Sequence, residues 1–568
     1  MKRRDVIKGL TLLPLAGGVV GSAQAAMAAP AIAEGAGLVG TATGSALLGP
    51  EVYRALGVEP VINCRGTFTI IGASTLVPEA KEAMYNAQSN YVQLDELAMG
   101  VGKKLAELSG AEWGVVSCGC AGGIKISTIA AVTGGNPEKL VRVPDLTGFE
   151  KNEVIIPRHS RNTYDHAVRN VGVKIITVET QEELEGAMNS RTAMIYMMPT
   201  SPGDTGPLSV IAISKAAKAK GVPVFVDAAA EALTLKPNVH LADGATVVAY
   251  SGGKAIRGPQ SAGLLLGDKK FLMATWQSSS PHHGAGRDNK VGKEEQIGML
   301  AAVEAWTKRN HPQEEIAWTG YLETISKRVS AIAGITTTIR QPEGLDNRTP
   351  NLNISWDPTK FNATGQDIAT YLSTTTPRIA LSAGGGGRGA AGAANLTSIS
   401  VAAFMMQPGD DKIVAERIFA ALSMKRPPVP EMKAPSADIK GRWEVTVEYF
   451  NETSKHTFYI EQQDSNWLKG SHKSTFTTNE LEGTIEGNEV KFKSASKLLA
   501  DNVPFTFSGT LTGDSMSGSI HHGEYLTSKF TAKKYIQPSN RQKIVVPIGA
   551  PISMRSGLFY RENEPNIF

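Results

Sequence analysis

Between about residue 50 and residue 300 the chain alternates short apolar runs with amphipathic stretches, and this alternation restricts the fold more than any other feature. The apolar runs fall at 114–117, 153–157, 173–178, 193–198, 223–227, 246–250 and 262–267. Their centres are nearly unbroken Val, Ile, Leu and Met, the pattern of strands covered on both faces. Helical patterns such as 182–188 and 208–220 separate them. The alternation predicts an α/β fold in which helices flank both sides of a mostly parallel sheet. In such sheets ligands bind outside the carboxyl ends of the strands. Polar and glycine clusters lie at those ends, at 117–123, 199–206, 227–231 and 251–258.

The 568 residues are enough for two to four domains. A large α/β domain is expected over 50–300. It closes on a long helix at 294–309 that leads into a small α/β domain over 301–425. The run Arg426-Pro-Pro-Val-Pro430 marks a boundary by proline density. Over 438–535 short alternating strands recur between polar turns, which predicts an antiparallel β sandwich or small barrel. Seven candidates are visible there, at 441–448, 456–462, 467–471, 481–485, 489–493, 505–511 and 515–520. Trp443, Trp467, Phe505 and Phe507 form its core or a small apolar cup. The tail 536–568 has little periodicity.

Residues 1–30 read as an export signal: a charged start, a short apolar stretch and a small-residue cleavage site near Ala25. Arg3 and Arg4 followed by Val6-Ile-Lys8 resemble a twin-arginine signal, with an ordinary secretory signal as the other reading. The apolar stretch is too short to span a bilayer and no second one follows, so a soluble periplasmic protein without stable membrane insertion is expected. Net charge is only +4, and no basic block suggests nucleic acid. The three cysteines, Cys64, Cys118 and Cys120, read as packing or loop residues, and no metal site is expected.

Asp227 closes the apolar run Pro-Val-Phe-Val-Asp, and by itself it reads equally as a cap for the following turn. Lys254 follows in Ala249-Tyr-Ser-Gly-Gly-Lys, again after a buried run. A lysine among glycines at a strand end is not placed there by helix propensity. The pair has a chemical reading. Pyridoxal 5'-phosphate (PLP) is held by a lysine as a Schiff base, with a carboxylate against its pyridinium nitrogen. Ser251 and the cradle Ser117-Cys-Gly-Cys-Ala-Gly-Gly123, with Gly119, Cys120 and Ala121 at its centre, suit the cofactor phosphate. Glycines allow close approach there, and a helix pattern at 124–132 supplies free N–H groups.

The order glycine loop, strand-end Asp, then Ser-Gly-x-Lys resembles the fold-type I, aspartate aminotransferase-like PLP enzymes. The run Ser251-Gly-Gly-Lys-Ala-Ile-Arg-Gly-Pro-Gln-Ser-Ala-Gly263 is closer still to the selenocysteine synthase and D-glucosaminate-6-phosphate ammonia-lyase group. So are Val61-Ile-Asn-Cys-Arg-Gly-Thr67 and Gly286-Arg-Asp-Asn-Lys-Val-Gly-Lys-Glu-Glu295. The resemblance covers about residues 50–425 and implies a homo-oligomer with the active site at a subunit interface. It implies that Arg287 and Lys293 reach the cofactor phosphate of a neighbouring subunit; an exposed, salt-bridging pair is the other reading. It places His159 near the cofactor ring, with stacking and a plain surface turn both open.

Thr200 either lines the substrate pocket or holds a tight turn. Arg257 either binds phosphate or substrate, or covers a helix end. His282 and His283 read as substrate contacts or as ordinary loop residues, with the loop favoured. Family members clamp the substrate carboxylate with a small-domain arginine, yet the matching stretch Leu396-Thr-Ser-Ile-Ser-Val-Ala402 has none. Arg378 and Arg388 lie near it in sequence. The leading expectation is a lyase acting on a small amino acid or amino sugar acid, with Lys254 as the base at the α-carbon and loss of ammonia. Racemisation or epimerisation, transamination, a selenocysteine-synthase-like transferase and a non-catalytic envelope binding module are the alternatives. An export signal argues against the transferase, because charged tRNA is cytoplasmic.

Overall fold

The computed structural model describes residues 49–384, 396–428 and 430–536. The expected signal at 1–30, Arg388, and the tail beyond Ile536 lie outside the described residues. The described residues 49–60 belong to a unit separate from the rest, and in them Glu51–Arg54 makes one helical turn.

The apolar runs become one seven-stranded sheet: β1 (Trp113–Cys118), β2 (Glu153–Pro157), β3 (Lys174–Val178), β4 (Thr192–Met197), β5 (Val224–Asp227), β6 (Val247–Ser251) and β7 (Ala262–Gly267). The order is β1-β7-β6-β5-β4-β2-β3. Six strands point the same way, and β7 alone is reversed, antiparallel to both β1 and β6. β2, β4, β5 and β7 are buried along their whole length, as strands covered on both faces must be. The cover includes α1 (Pro78–Ala87), α2 (Leu94–Ser109), α3 (Gly119–Thr133), α4 (Val210–Ala219), α5 (Lys269–Gln277) and α6 (Lys293–Lys308). One expectation is corrected here. The glycine cluster at 117–123 is not a loop before a helix, because α3 begins at Gly119 and takes the glycines into its first turn.

Beyond α6, the helix α7 (His311–Val329) leads to a four-stranded antiparallel sheet of β8 (Thr336–Arg340), β9 (Asn351–Trp356), β10 (Ser382–Gly384) and β11 (Thr397–Ala402), in the order β10-β11-β9-β8. Strand Val61–Asn63 pairs in parallel with Arg378–Ala380. The helices α8 (Gly365–Thr374) and α9 (Asp410–Ser423) pack here, and the core of this region holds Leu322, Ile354, Trp356, Ile399 and Ile418.

The C-terminal β region is a closed eight-stranded antiparallel barrel: β12 (Gly441–Glu448), β13 (Thr453–Asp464), β14 (Trp467–Lys473), β15 (Thr478–Glu486), β16 (Glu489–Leu498), β17 (Asp501–Thr512), β18 (Ser515–His521) and β19 (Thr527–Lys534). Closure resolves the choice between sandwich and barrel. Each strand pairs with its neighbours in sequence and β19 returns to β12, so no edge is left exposed. The eighth strand escaped the sequence pattern. Asp501 ties the barrel to the large sheet: its carboxylate accepts from Arg169 at 2.9 Å and from the Thr163 hydroxyl at 3.2 Å. Arg169 in turn pairs with the buried Asp165.

Inside the barrel His456 Nδ1 lies 2.9 Å from His472 Nε2. Burial, and then the neighbouring imidazoles, push His456 down to about 4 and His472 down to about 3. Both rings are therefore neutral in the folded chain at pH 5, whereas in the unfolded chain they take up protons below about 6.5. The unfolded state binds more protons in that window, so stability falls as pH drops from 6.5 towards 4. The expected loss is on the order of 2 kcal/mol per histidine by pH 5. Urea midpoints between pH 7 and 5 should show that slope, and His472→Phe should flatten it.

Candidate active site

The carboxyl ends of the parallel strands bring together Asp227, Ser251, Lys254 and the turn holding Gly119, Cys120 and Ala121. Asp227 ends β5, with only 3% of its surface exposed. Three groups converge on its carboxylate: Tyr196 Oη at 2.6 Å, Cys120 Sγ at 3.4 Å and the backbone N–H of Ala229 at 3.2 Å. Burial, and then the Asp227 charge, hold the Tyr196 and Cys120 pKa values well above their ordinary ones. Both groups keep their protons and donate, and a carboxylate, which only accepts, satisfies all three donors.

Lys254 sits in the turn after β6, next to β5 in the sheet. It is half-buried, and its amine has no hydrogen-bond or ion-pair partner among the described residues. It is close enough to Cys120 for its charge to act on that thiol. Two cavities meet at it. One, of about 570 Å³, is bordered by Ser251, Gln260 and Thr69. The other, of about 210 Å³, is bordered by Trp306, Arg309, His311, Trp318, Arg348 and Phe404. Thr67 borders both.

The first turn of α3 meets the same edge of the sheet. Gly119 adopts φ +68°, and a Cβ there would project into open space beside the helix N-terminus. Gly263 of β7 lets that turn approach, since a Cβ on it would stand 2.5 Å from the Gly119 carbonyl carbon. Ala121 is exposed in this turn. Asn289 packs against it, with its Nδ2 within 3.1 Å of where a Gly122 Cβ would be. The Asn289 Oδ1 is buried and unpartnered among the described residues. A side-chain amide can flip, so this free end can equally present N–H. Glycine cradle, helix N-terminus and unsatisfied amide together suit a phosphate. With a free strand-end lysine and a donor-braced carboxylate nearby, the residues present fit PLP.

Other expected residues divide. His159 is exposed in the helical turn Arg158–Ser160 just past β2. Arg287 has no side-chain partner among the described residues. Thr200 accepts from the Val210 N–H at 3.2 Å, at the start of α4, a turn-holding contact. Arg257 (φ +59°) donates to the Thr75 carbonyl and hydroxyl and borders neither Lys254 cavity, so within the chain it braces the entry to α1. Lys293 donates to the carbonyls of Ala87 and Gln88 at the end of α1 and pairs with Glu294, so its amine is engaged away from the α3 turn. Arg378 donates to the Ser373 carbonyl at 2.6 Å and likewise borders neither cavity.

Several site residues gave no usable signal in sequence. Tyr196 is hidden inside an apolar strand. Arg309, following α6, donates to the Ala255 carbonyl, pairs with Glu314 and covers the Trp306 ring. Arg348 comes from the turn before β9 and pairs with Glu315 at 3.0 Å.

No family model matches the chain. The D-glucosaminate-6-phosphate ammonia lyase of Salmonella typhimurium is 33% identical over 304 residues, which are 52% of this chain and 79% of that one. The chain belongs to this family of fold-type I PLP enzymes. A solved structure of D-glucosaminate-6-phosphate ammonia-lyase superposes with a TM-score of 0.57 at 26% identity, over 66% of this chain and 99% of that one. A 5'-C-glycyluridine monooxygenase-decarboxylase from Streptomyces sp is 27% identical over 345 residues, 58% of this chain and 83% of its own length. Membership makes the chain a PLP-dependent lyase built on the α/β architecture described above.

Proposed function

We propose that this enzyme is exported to the periplasm and removes ammonia from an amino acid or amino sugar acid, with Lys254 as the catalytic base. The observation that carries the reading is the unpartnered Lys254 amine, which borders a cavity holding two guanidinium groups and lies near the buried Asp227. When bound, PLP supplies an electron-accepting ring for the negative charge left on the substrate α-carbon. The N–H groups of the first α3 turn, Ser251 and Asn289 would hold its phosphate. Asp227, oriented by Tyr196 and Cys120, would keep a proton on the ring nitrogen. Lys254 Nζ takes the α proton. Loss of the α proton and of a β-hydroxyl as water, followed by hydrolysis, yields a 2-keto acid and ammonia.

Arg348 is assigned to the substrate carboxylate, in place of the small-domain arginine that the sequence lacks. Arg309 is engaged through Nε and Nη2 by Glu314 and through Nη1 by the Ala255 carbonyl, whereas Arg348, held through Nε by Glu315 and through Nη1 by the Gly344 carbonyl, keeps Nη2 for an anion. Trp306, Trp318 and Phe404 exclude water from this side. The relative's name specifies an amino sugar acid phosphate, and the mixed aromatic and polar lining here suits a hydroxylated chain. The test is release of keto acid and ammonia across a panel of D- and L-amino acids and amino sugar acids. On the best substrate Arg348→Met should raise KM about 10- to 100-fold, the loss of a charged hydrogen-bonded contact, with kcat changed less. Failure of the whole panel to release ammonia overturns the lyase reading.

Residues 1–30 support export by the twin-arginine route, which carries proteins folded with their cofactor. Lysine at both Arg3 and Arg4 should leave the precursor in the cytoplasm, where cell fractionation detects it. Export that survives the double change indicates an ordinary secretory signal. A homo-oligomer with Arg287 reaching a neighbouring subunit's cofactor phosphate completes the proposal, and the unpartnered Arg287 side chain supports it.

A further inference from the structure

The two ends of the barrel are built differently. In an up-and-down barrel every second hairpin turn lies at the same end. At one end the turns β13–β14, β15–β16 and β17–β18 are short and polar, with Ser465-Asn466, Gly487-Asn488 and Gly513-Asp514 at their centres; Trp467, expected in the core, is instead 62% exposed beside the first of them. At the other end the four turns and the last residue of β16 carry Phe450, Phe476, Leu498, Leu499, Tyr525 and Leu526, each between 47% and 93% exposed. Apolar side chains gathered at loop tips around one opening mark a binding site.

Within that rim lies a cavity of about 150 Å³. Its walls are aromatic, from Tyr449, Phe450, Phe505 and Tyr525, and its polar edge is formed by His522 and Ser528. His522 Nε2 lies 2.7 Å from Ser528 Oγ. Phe505 stands edge-on to His456, His472 and His522, at centroid distances of 5.8, 5.0 and 5.0 Å. Among the described residues no carboxylate, lysine or arginine borders the cavity, and burial lowers the His522 pKa below 6.5, so this lining is uncharged at neutral pH. A charged ligand would lose its hydration there without a counter-charge. The volume matches a single six-membered ring, and a cavity of about 150 Å³ is known to hold benzene. Aromatic walls suit a flat ring, because offset and edge-on ring contacts add to area burial.

We propose that the barrel mouth binds a small neutral aromatic molecule bearing one hydrogen-bonding group, which the Ser528 hydroxyl and His522 receive. This site is separate from the cofactor centre, and its ligand belongs to a different chemical class from the anionic amino substrate.

The test uses the full chain loaded with PLP, so that the Lys254 cavities are occupied. Phenol is titrated by ligand-observed NMR, with phenyl phosphate as the charged control. The expected result is saturable one-to-one binding of phenol and none of phenyl phosphate. Val503→Trp, which fills the cavity from its wall, should weaken phenol binding at least about 10-fold. Ser528→Ala should weaken it about 3- to 10-fold, the worth of one hydrogen bond. If Val503→Trp lowers the thermal midpoint, Thr527→Phe fills the same space from an exposed position. Phenol binding that does not saturate, that tolerates a filling variant of unchanged thermal midpoint, or that phenyl phosphate equals overturns the proposal. So does co-sedimentation with phosphatidylcholine vesicles that Phe450→Ser abolishes while phenol fails to saturate, which would make the rim a membrane contact.

Discussion

Lys254→Ala should abolish the visible absorbance of protein-bound PLP and lower ammonia release by at least about 10³-fold, the combined loss expected if this lysine both attaches the cofactor and is the base at the α-carbon. The prediction rests on position. Lys254 is presented by a turn that cannot easily drift, because Gly252 and Gly253 ahead of it are buried and the chain behind it returns through Gly258, whose N–H binds the Gly252 carbonyl. The amine has no competing carboxylate among the described residues, so its removal breaks no ion pair and leaves no orphaned charge. The folded chain should therefore survive, with unchanged far-UV circular dichroism and thermal midpoint, while chemistry is lost. A small primary amine added to the variant should restore part of the rate, because it replaces the missing proton acceptor without rebuilding the covalent link. Full activity in Lys254→Ala would remove the lysine from the mechanism and move attention to another amine. Lys293→Ala is the matched control: its amine ends on the carbonyls of Ala87 and Gln88, so it should cost stability with little effect on the bound-cofactor spectrum of a single chain.

These two lysines show what a sequence reveals about such a site. Lys254 was legible because a charged residue among glycines at the end of a buried run has no structural reason to be there. Asp227 became legible through its distance from Lys254 along an α/β chain. Strands at 153–157 and 262–267 were readable to the residue, because burial on both faces writes them as unbroken apolar runs. Lys293 stands in an equally suggestive motif, but helix α1 ends beside it and its carbonyls take the amine, a tertiary event with no local mark. Arg309 and Arg348 are separated from Lys254 by 55 and 94 residues and meet it only through folding. The last barrel strand, Thr-Ser-Lys-Phe-Thr-Ala-Lys-Lys, turns only Ser528, Phe530 and Ala532 fully inward, too little apolar contrast for period-two reading. The start of α3 was masked for a related reason: glycines read as loop, yet here the sheet edge presses so closely that the first helical turn must be built from them.

Asp227→Ala should retain the lysine-bound cofactor and lose the reaction, a separation that distinguishes it from Lys254→Ala. The carboxylate supplies no covalent bond. In the proposed mechanism it supplies a fixed negative charge at the ring nitrogen, and that charge would make the ring an electron acceptor. Removing one partner of a buried charged pair costs about 3–5 kcal/mol, so kcat/KM should fall about 10²- to 10³-fold or more. The bound-cofactor absorbance should persist, with an altered dependence on pH because the ring nitrogen no longer holds its proton. Removing the carboxylate also leaves the buried Tyr196 hydroxyl and the Cys120 thiol without their acceptor, so the variant should lose about 1–3 kcal/mol of stability in urea unfolding. Tyr196→Phe isolates the positioning contribution: Asp227 keeps Cys120 and the Ala229 N–H, the charge stays, and the rate should fall only about 3- to 10-fold. If Asp227→Ala leaves kcat/KM within that small range, the carboxylate is a turn cap for the Ala228–Glu231 hydrogen bond, and the acceptor strength of the ring must be set elsewhere in the site.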